Sequence, residues 1–90
     1  LIISQLWAER KRHILCIVPA NLRKQWNREL LEKFFIESII LETKSYRAFK
    51  KEHGSNPFDQ EGTVVICSYQ FARSKVDEMQ RVPWDLVVID

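Results

Sequence analysis

Glycine and proline are scarce in this chain, at 2 and 3 of 90 residues, which excludes collagen-like, low-complexity and disordered classes. Cysteine is equally sparse. Cys16 and Cys67 each lie inside an apolar, β-branched run, and neither has a second Cys or His at metal-ligand spacing beyond His13, in the same strand as Cys16. A zinc site and a disulfide framework are therefore not expected, and both thiols read as core. There is no excess of one charge: 14 Lys plus Arg against 12 Asp plus Glu leave a net +2. Composition alone thus permits a nucleic-acid partner without identifying one. The basic clusters Arg10-Lys11-Arg12-His13, Arg23-Lys24 with Arg28, and Lys50-Lys51 are interrupted by apolar or acidic residues and read as solvated helix faces. Long hydrophobic runs are missing too. The apolar opening breaks at Ser4-Gln5, so neither a signal peptide nor a membrane span fits, and a cytoplasmic location is the default expectation.

What the chain does contain is a regular alternation. Short Ile- and Val-rich runs at His13 to Val18, Ser38 to Glu42, Thr63 to Ser68 and Leu86 to Asp90 read as strands. The first, third and fourth are near-continuously apolar, as in parallel strands covered on both faces. Between them lie helix-period segments. In Leu22 to Phe35 the residues Leu22, Trp26, Leu30 and Phe34 form one stripe, with Asn21 placed to cap the start and Glu29 to Lys33 as a favourable pair. Ser45 to His53 ends at Gly54-Ser55-Asn56-Pro57, with Tyr46 and Phe49 on its buried side. Gln70 to Arg81 and Leu1 to Lys11 are also helical, the latter grouping Ile2, Ile3, Leu6 and Trp7. The order α-β-α-β-α-β-α-β predicts an α/β fold, a parallel β-sheet with helices on both faces. At 90 residues one domain or part of one is expected, and the apolar start and the end on a strand suggest a piece of something longer.

In open parallel sheets ligands collect at the carboxyl ends of the strands. The positions to inspect are therefore Pro19-Ala20-Asn21, Thr43-Lys44, Ser68-Tyr69-Gln70 and Asp90. A carboxylate closing an apolar strand needs a partner, and magnesium on nucleotide phosphates is a common one, although a helix cap or loop residue is the plain alternative. Trp26 reads as core, Gln25 and Glu29 as solvated or capping, Trp84 as a plug at the sheet edge, and Tyr69 as either contact or packing. His13 opens a strand and His53 ends a helix; neither has a carboxylate or thiol partner that suggests catalysis, and both read as structural or exposed.

Three segments in series resemble a known family. Pro19-x-x-Leu22-x-x-Gln25-Trp26-x-x-Glu29 after the first strand resembles motif Ia of Snf2-type ATPases of helicase superfamily 2. Asn56-Pro57-Phe58 with Val64 to Arg73 is similar to the bacterial RNA-polymerase-associated (RapA-type) branch. Trp84 to Asp90 resembles the approach to motif II, ending on the first residue of an Asp-Glu-x-His (DEAH-type) box.

The resemblance implies a partial RecA-like (P-loop NTPase) domain between motifs I and II, with ATP and Mg2+ as cofactors. Asp90 would hold the magnesium on the phosphates as the Walker B residue. Pro19, Ala20, Asn21 and Leu22, with Ser68, Tyr69 and Gln70, would contact the backbone of a nucleic acid, double-stranded DNA by family analogy. A second RecA-like lobe in cis and RNA polymerase or another protein-DNA complex would be partners, in a bacterial cytoplasm. Two departures stand out: the family often has Ser or Thr near Ala20 and Asn21, and no G-x-x-x-x-G-K-[ST] loop occurs here, so these residues alone are not expected to hydrolyse ATP. A restriction or phage-defence motor and a non-enzymatic α/β interaction module are the competing readings.

Overall fold

The apolar runs become a single sheet. The computed structural model describes residues 2–10 and 12–90. Its strands are β1 (Ile14–Val18), β2 (Ser38–Ile40), β3 (Val64–Ser68) and β4 (Leu86–Ile89), all parallel, in the order β2-β3-β1-β4. The helices are α1 (Ile2–Ala8), α2 (Arg23–Phe34), α3 (Thr43–His53), α4 (Tyr69–Ser74) and α5 (Val76–Gln80), and a 3-10 turn, Ala20–Leu22, runs into α2. This is the α/β class expected from the sequence, a partial RecA-like sheet with helices on both faces. No described helix is long and apolar enough to cross a membrane.

Strand order dictates which face each helix covers. From β1 the chain moves past β3 to β2, and from there it turns back to β3 and then across β1 to β4. Right-handed crossovers in opposite directions must use opposite faces. Accordingly α2, with α1, packs on one face through Ile3, Trp7, Leu22, Trp26, Leu30 and Phe34 against Ile14, Cys16, Val18, Val64 and Ile66. The helices α3, α4 and α5 cover the other face, where Tyr46, Phe71, Ala72 and Met79 meet Leu15, Ile17, Val65 and Cys67 around the fully buried Phe58. β1 is buried along its whole length, as its unbroken apolar run requires. The side chains of Ile2 and Leu6, assigned to the α1 stripe, lie outside the described set.

Strand β2 ends at Ile40, short of Glu42, and α1 at Ala8, with the expected limits Leu1 and Lys11 outside the described residues; three further helix expectations and the coverage of β4 also depart from the sequence reading. Helix α2 starts from the 3-10 turn with Leu22 at its N-cap and no side-chain cap, so Asn21 does not cap it. The turn already pairs the Leu22 amide with the Pro19 carbonyl (2.9 Å). Helix α3 begins at Thr43, not Ser45, because Glu42 and Ser45 form a capping box there, Ser45 Oγ accepting from the Glu42 amide at 2.9 Å. Its end is as expected, at Gly54 with φ 67°. The single helix expected over 70–81 is two: Ser74 Oγ donates back to the Phe71 carbonyl at 2.8 Å and Lys75 leaves helical geometry. Finally, β4 is covered on one face only. Leu86 and Val88 join the α1–α2 core, whereas Val87 and Ile89 are 42% and 67% exposed.

The far ends of the sheet are tied by polar contacts. Asp85 Oδ2 accepts from the His13 amide (3.0 Å) while the Asp85 amide donates to the His13 carbonyl (2.8 Å), which sets the β1–β4 register. Asn56 Nδ2 donates to the Glu78 carbonyl (2.8 Å) and Lys50 pairs with the Glu78 carboxylate (3.2 Å), fastening α3 and its following loop to α5.

Candidate functional site

Parallel strands deliver all their following loops to one edge of the sheet. Val18 pairs with Ser68, so the turn Pro19–Leu22 and the start of α4 lie side by side. The Asp90 amide donates to the Ile17 carbonyl (3.0 Å), extending the β4 ladder and setting Asp90 next to the Pro19 turn. The loop after β1 leads to one face and the loop after β3 to the other. Neighbouring loops that diverge in this way mark the usual ligand position of open α/β sheets.

The edge is built from small local devices. Pro19, with φ −56°, starts the 3-10 turn, whose first two amides, those of the exposed Ala20 and Asn21, have no acceptor within the turn. Leu22 is the apolar foot of the turn, packed on the α2 side of the core. Ser68 caps α4, its Oγ accepting from the Phe71 amide at 3.2 Å, a bond that leaves the hydroxyl hydrogen unused. Phe71 and Ala72 are buried, so α4 is anchored behind while Tyr69 and Gln70 stay exposed in front. Thr43 and Lys44 are exposed at the start of α3.

Two contacts at this edge join residues far apart in sequence. Trp26 Nε1 donates to Asp90 Oδ2 at 3.4 Å while its ring packs on the sheet. The indole therefore packs against the core, as expected, though only partly buried, and it is also the one described side chain that hydrogen-bonds the Asp90 carboxylate. Arg23, read from the sequence as part of a solvated face, is only 24% exposed. Its Nε donates to the Ala20 carbonyl (3.0 Å) and its Nη1 to Glu42 Oε2 (3.1 Å). Ala20, Asn21, Arg23, Lys24, Ile40 and Glu42 line a cavity of about 300 Å³ between the turn and the end of β2. Neither pairing has a local signal, since the partners are 64 and 19 residues apart and meet only through the strand order. Gln25 and Glu29 are bonded to each other along α2, at 3.3 Å.

Other chemistry-bearing residues lie elsewhere. Contrary to expectation, His13 has a carboxylate partner: Nε2 lies 3.0 Å from Asp59 Oδ1, at the amino end of the strands and away from the candidate edge. His53 stacks on Phe49 (4.3 Å between centroids). Cys16 and Cys67 are buried, and burial pushes both thiols up to about 12. No group of three His, Cys, Asp or Glu suited to hold a metal occurs among the described residues. A cation at this edge would thus be held by Asp90 together with water and ligand oxygens, the mode magnesium ordinarily adopts beside phosphates. The exposed Asp90 carboxylate, whose described contact uses only Oδ2, fits that demand.

The family described as SNF2-related domain matches residues 2–90. The RNA polymerase-associated protein RapA of Yersinia pestis (strain Pestoides F) is 34% identical over 93 aligned residues, taking in 100% of this chain and 9% of that protein. The RapA proteins of Yersinia pseudotuberculosis serotype O:1b (strain IP 31758) and Serratia proteamaculans (strain 568) give the same identity and coverage. The chain therefore spans about a tenth of the length of these relatives. From the match along nearly all of its residues and the likeness to RapA throughout, the chain belongs to the SNF2-related domain family, in its RapA-like branch.

Proposed function

We propose that the chain is part of the ATP-binding motor domain of a Snf2-family nucleic-acid-dependent ATPase and translocase. The observation that carries this reading is convergence: Pro19 to Leu22, Ser68 to Gln70 and Asp90, far apart in sequence, end on one sheet edge beside a topological switch. Asp90 would hold Mg2+ on ATP, which when bound neutralises charge on the phosphates. The chain's own residues would orient and bind. Trp26 steers the Asp90 carboxylate, the Ala20 and Asn21 amides offer donors to a nucleic-acid phosphate, and Ser68, Tyr69 and Gln70 offer a second set. These contacts read the backbone and not the base sequence. A duplex DNA substrate, a second RecA-like lobe in cis, association with RNA polymerase as in the name of the RapA relatives, and a bacterial cytoplasmic location belong to the same proposal.

The test is nucleic-acid-stimulated phosphate release by a longer protein that carries this chain together with an upstream phosphate-binding loop. Asp90→Asn keeps the size and the acceptor for Trp26 but removes the charge, and the stimulated rate should fall by on the order of a hundredfold. Equal rates in wild type and variant would favour a non-enzymatic α/β module instead.

A further inference from the structure

The cavity beside the Pro19 turn contains an ion pair that the proposed function does not use. Arg23 holds its guanidinium in two ways: Nε is fixed on the Ala20 carbonyl, and Nη1 lies on the Glu42 carboxylate at 3.1 Å. The first bond is local to the turn. The second crosses from the start of α2 to the cap of α3, over a cavity of about 300 Å³. Lys24 lines the same cavity, is exposed, and has no ion-pair partner among the described residues. Glu42 is thus the one acidic side chain on a wall that otherwise carries two cations.

We infer that this cavity is a phosphodiester subsite for one nucleic-acid strand, gated by exchange of Arg23 between Glu42 and the phosphate. Arginine suits an exchange of this kind. Its planar fork presents several donors, so Nε can keep the turn bond while Nη1 changes partner, and a phosphate oxygen replaces a carboxylate oxygen with little change in geometry. Glu42 is half exposed, and its carboxylate can give up Arg23 to water while it keeps the α3 cap. Lys24 supplies the second charge, and the Ala20 and Asn21 amides lie on the same wall. With the subsite empty, the Arg23–Glu42 pair ties the turn to the cap of α3. With it filled, that tie is released, so nucleic-acid binding loosens the link between the start of α2 and the start of α3. The inference rests on the nucleic-acid reading given above and adds to it a negative element: Glu42 competes with the ligand.

Competition makes a prediction of unusual sign, because removing a native ion pair should strengthen binding. Glu42→Gln retains size and an acceptor oxygen for the α3 cap but loses the charge. Binding of the full chain to a short fluorescent DNA duplex, followed by anisotropy across a salt series without nucleotide, should tighten about three- to tenfold. Arg23→Gln should weaken binding and make the salt slope shallower by about one, the loss of one phosphate contact, and Arg23→Lys should restore the slope in part. In the Arg23→Gln background the gain from Glu42→Gln should fall to about twofold or less. An unchanged urea midpoint in Glu42→Gln separates this gain from non-specific binding by an unfolded basic chain. Unchanged affinity and slope in Glu42→Gln would overturn the inference, and so would a full gain that persists without Arg23, which would make Glu42 a simple repulsive charge. Absence of any duplex binding by the wild type at low salt would instead overturn the nucleic-acid reading itself, and the subsite with it.

Discussion

Cys16 and Cys67 point to opposite faces of the sheet, one into the core under α1 and α2 and the other into the core under α3 to α5. A thiol must ionise and meet a reagent to react, and burial opposes both steps, first by penalising the thiolate and then by excluding the reagent. In Cys67 the nearby Arg23 pulls against this, yet burial dominates. Neither thiol should react with a disulfide reagent in the native protein at pH 8, and both should react on unfolding in urea; prompt labelling of either without denaturant would contradict the burial. The cysteines were legible from sequence because a buried thiol behaves as a small hydrophobe among its neighbours. Trp26 was only half legible. Its helical spacing with Leu22 and Leu30 identifies the packing face, but the hydrogen bond to Asp90 depends on β4 lying beside β1, which no local pattern contains.

Elements were read well where periodicity governs them and less well where single side chains set their ends. The α2 stripe and the four parallel strands follow from apolar spacing alone, whereas the start of α3 depends on Glu42 and Ser45 and the break after α4 on one hydroxyl. That β4 is covered on one face only is not legible in an apolar run, which carries no information on the layer opposite it. Ser68 illustrates how one residue can serve both an element and the site. As N-cap of the short α4 it satisfies the Phe71 amide, and the buried Phe71 and Ala72 couple that helix to the core. Ser68→Ala should therefore lower unfolding free energy by about 1 kcal/mol. Ser68→Asp restores the cap but adds a negative charge at the candidate edge. It should keep near wild-type stability in a urea titration while weakening duplex binding; equal binding by Ser68→Asp and wild type would remove this loop from the nucleic-acid contact.

For the molecule as a whole, three groups hold their protons far more tightly when folded, and together they set how stability responds to alkali. Burial raises Cys16, Cys67 and Tyr46 to about 12, from ordinary values of 9.0 for the thiols and 10.0 for the phenol, with Glu78 adding to the effect at Tyr46. All three lie in the sheet core or against it, so their titration reports the same packing that places the loops of the candidate edge. The sign follows from where the protons reside. Below pH 9 both folded and unfolded chains keep these groups neutral, and their contribution to stability is fully present. As pH rises from 9 toward 12 the unfolded chain releases protons that the folded one retains, which favours unfolding, and the contribution is lost by the time the folded values are reached. The urea midpoint should thus be flat in this respect between pH 7 and 8 and fall steadily above 9. Cys16→Ala with Cys67→Ala should leave a shallower decline beginning near 10, carried by Tyr46, at the cost of a lower plateau. A double variant with the wild-type alkaline slope would show that the thiols are hydrated, and the two-faced core described here would then be wrong.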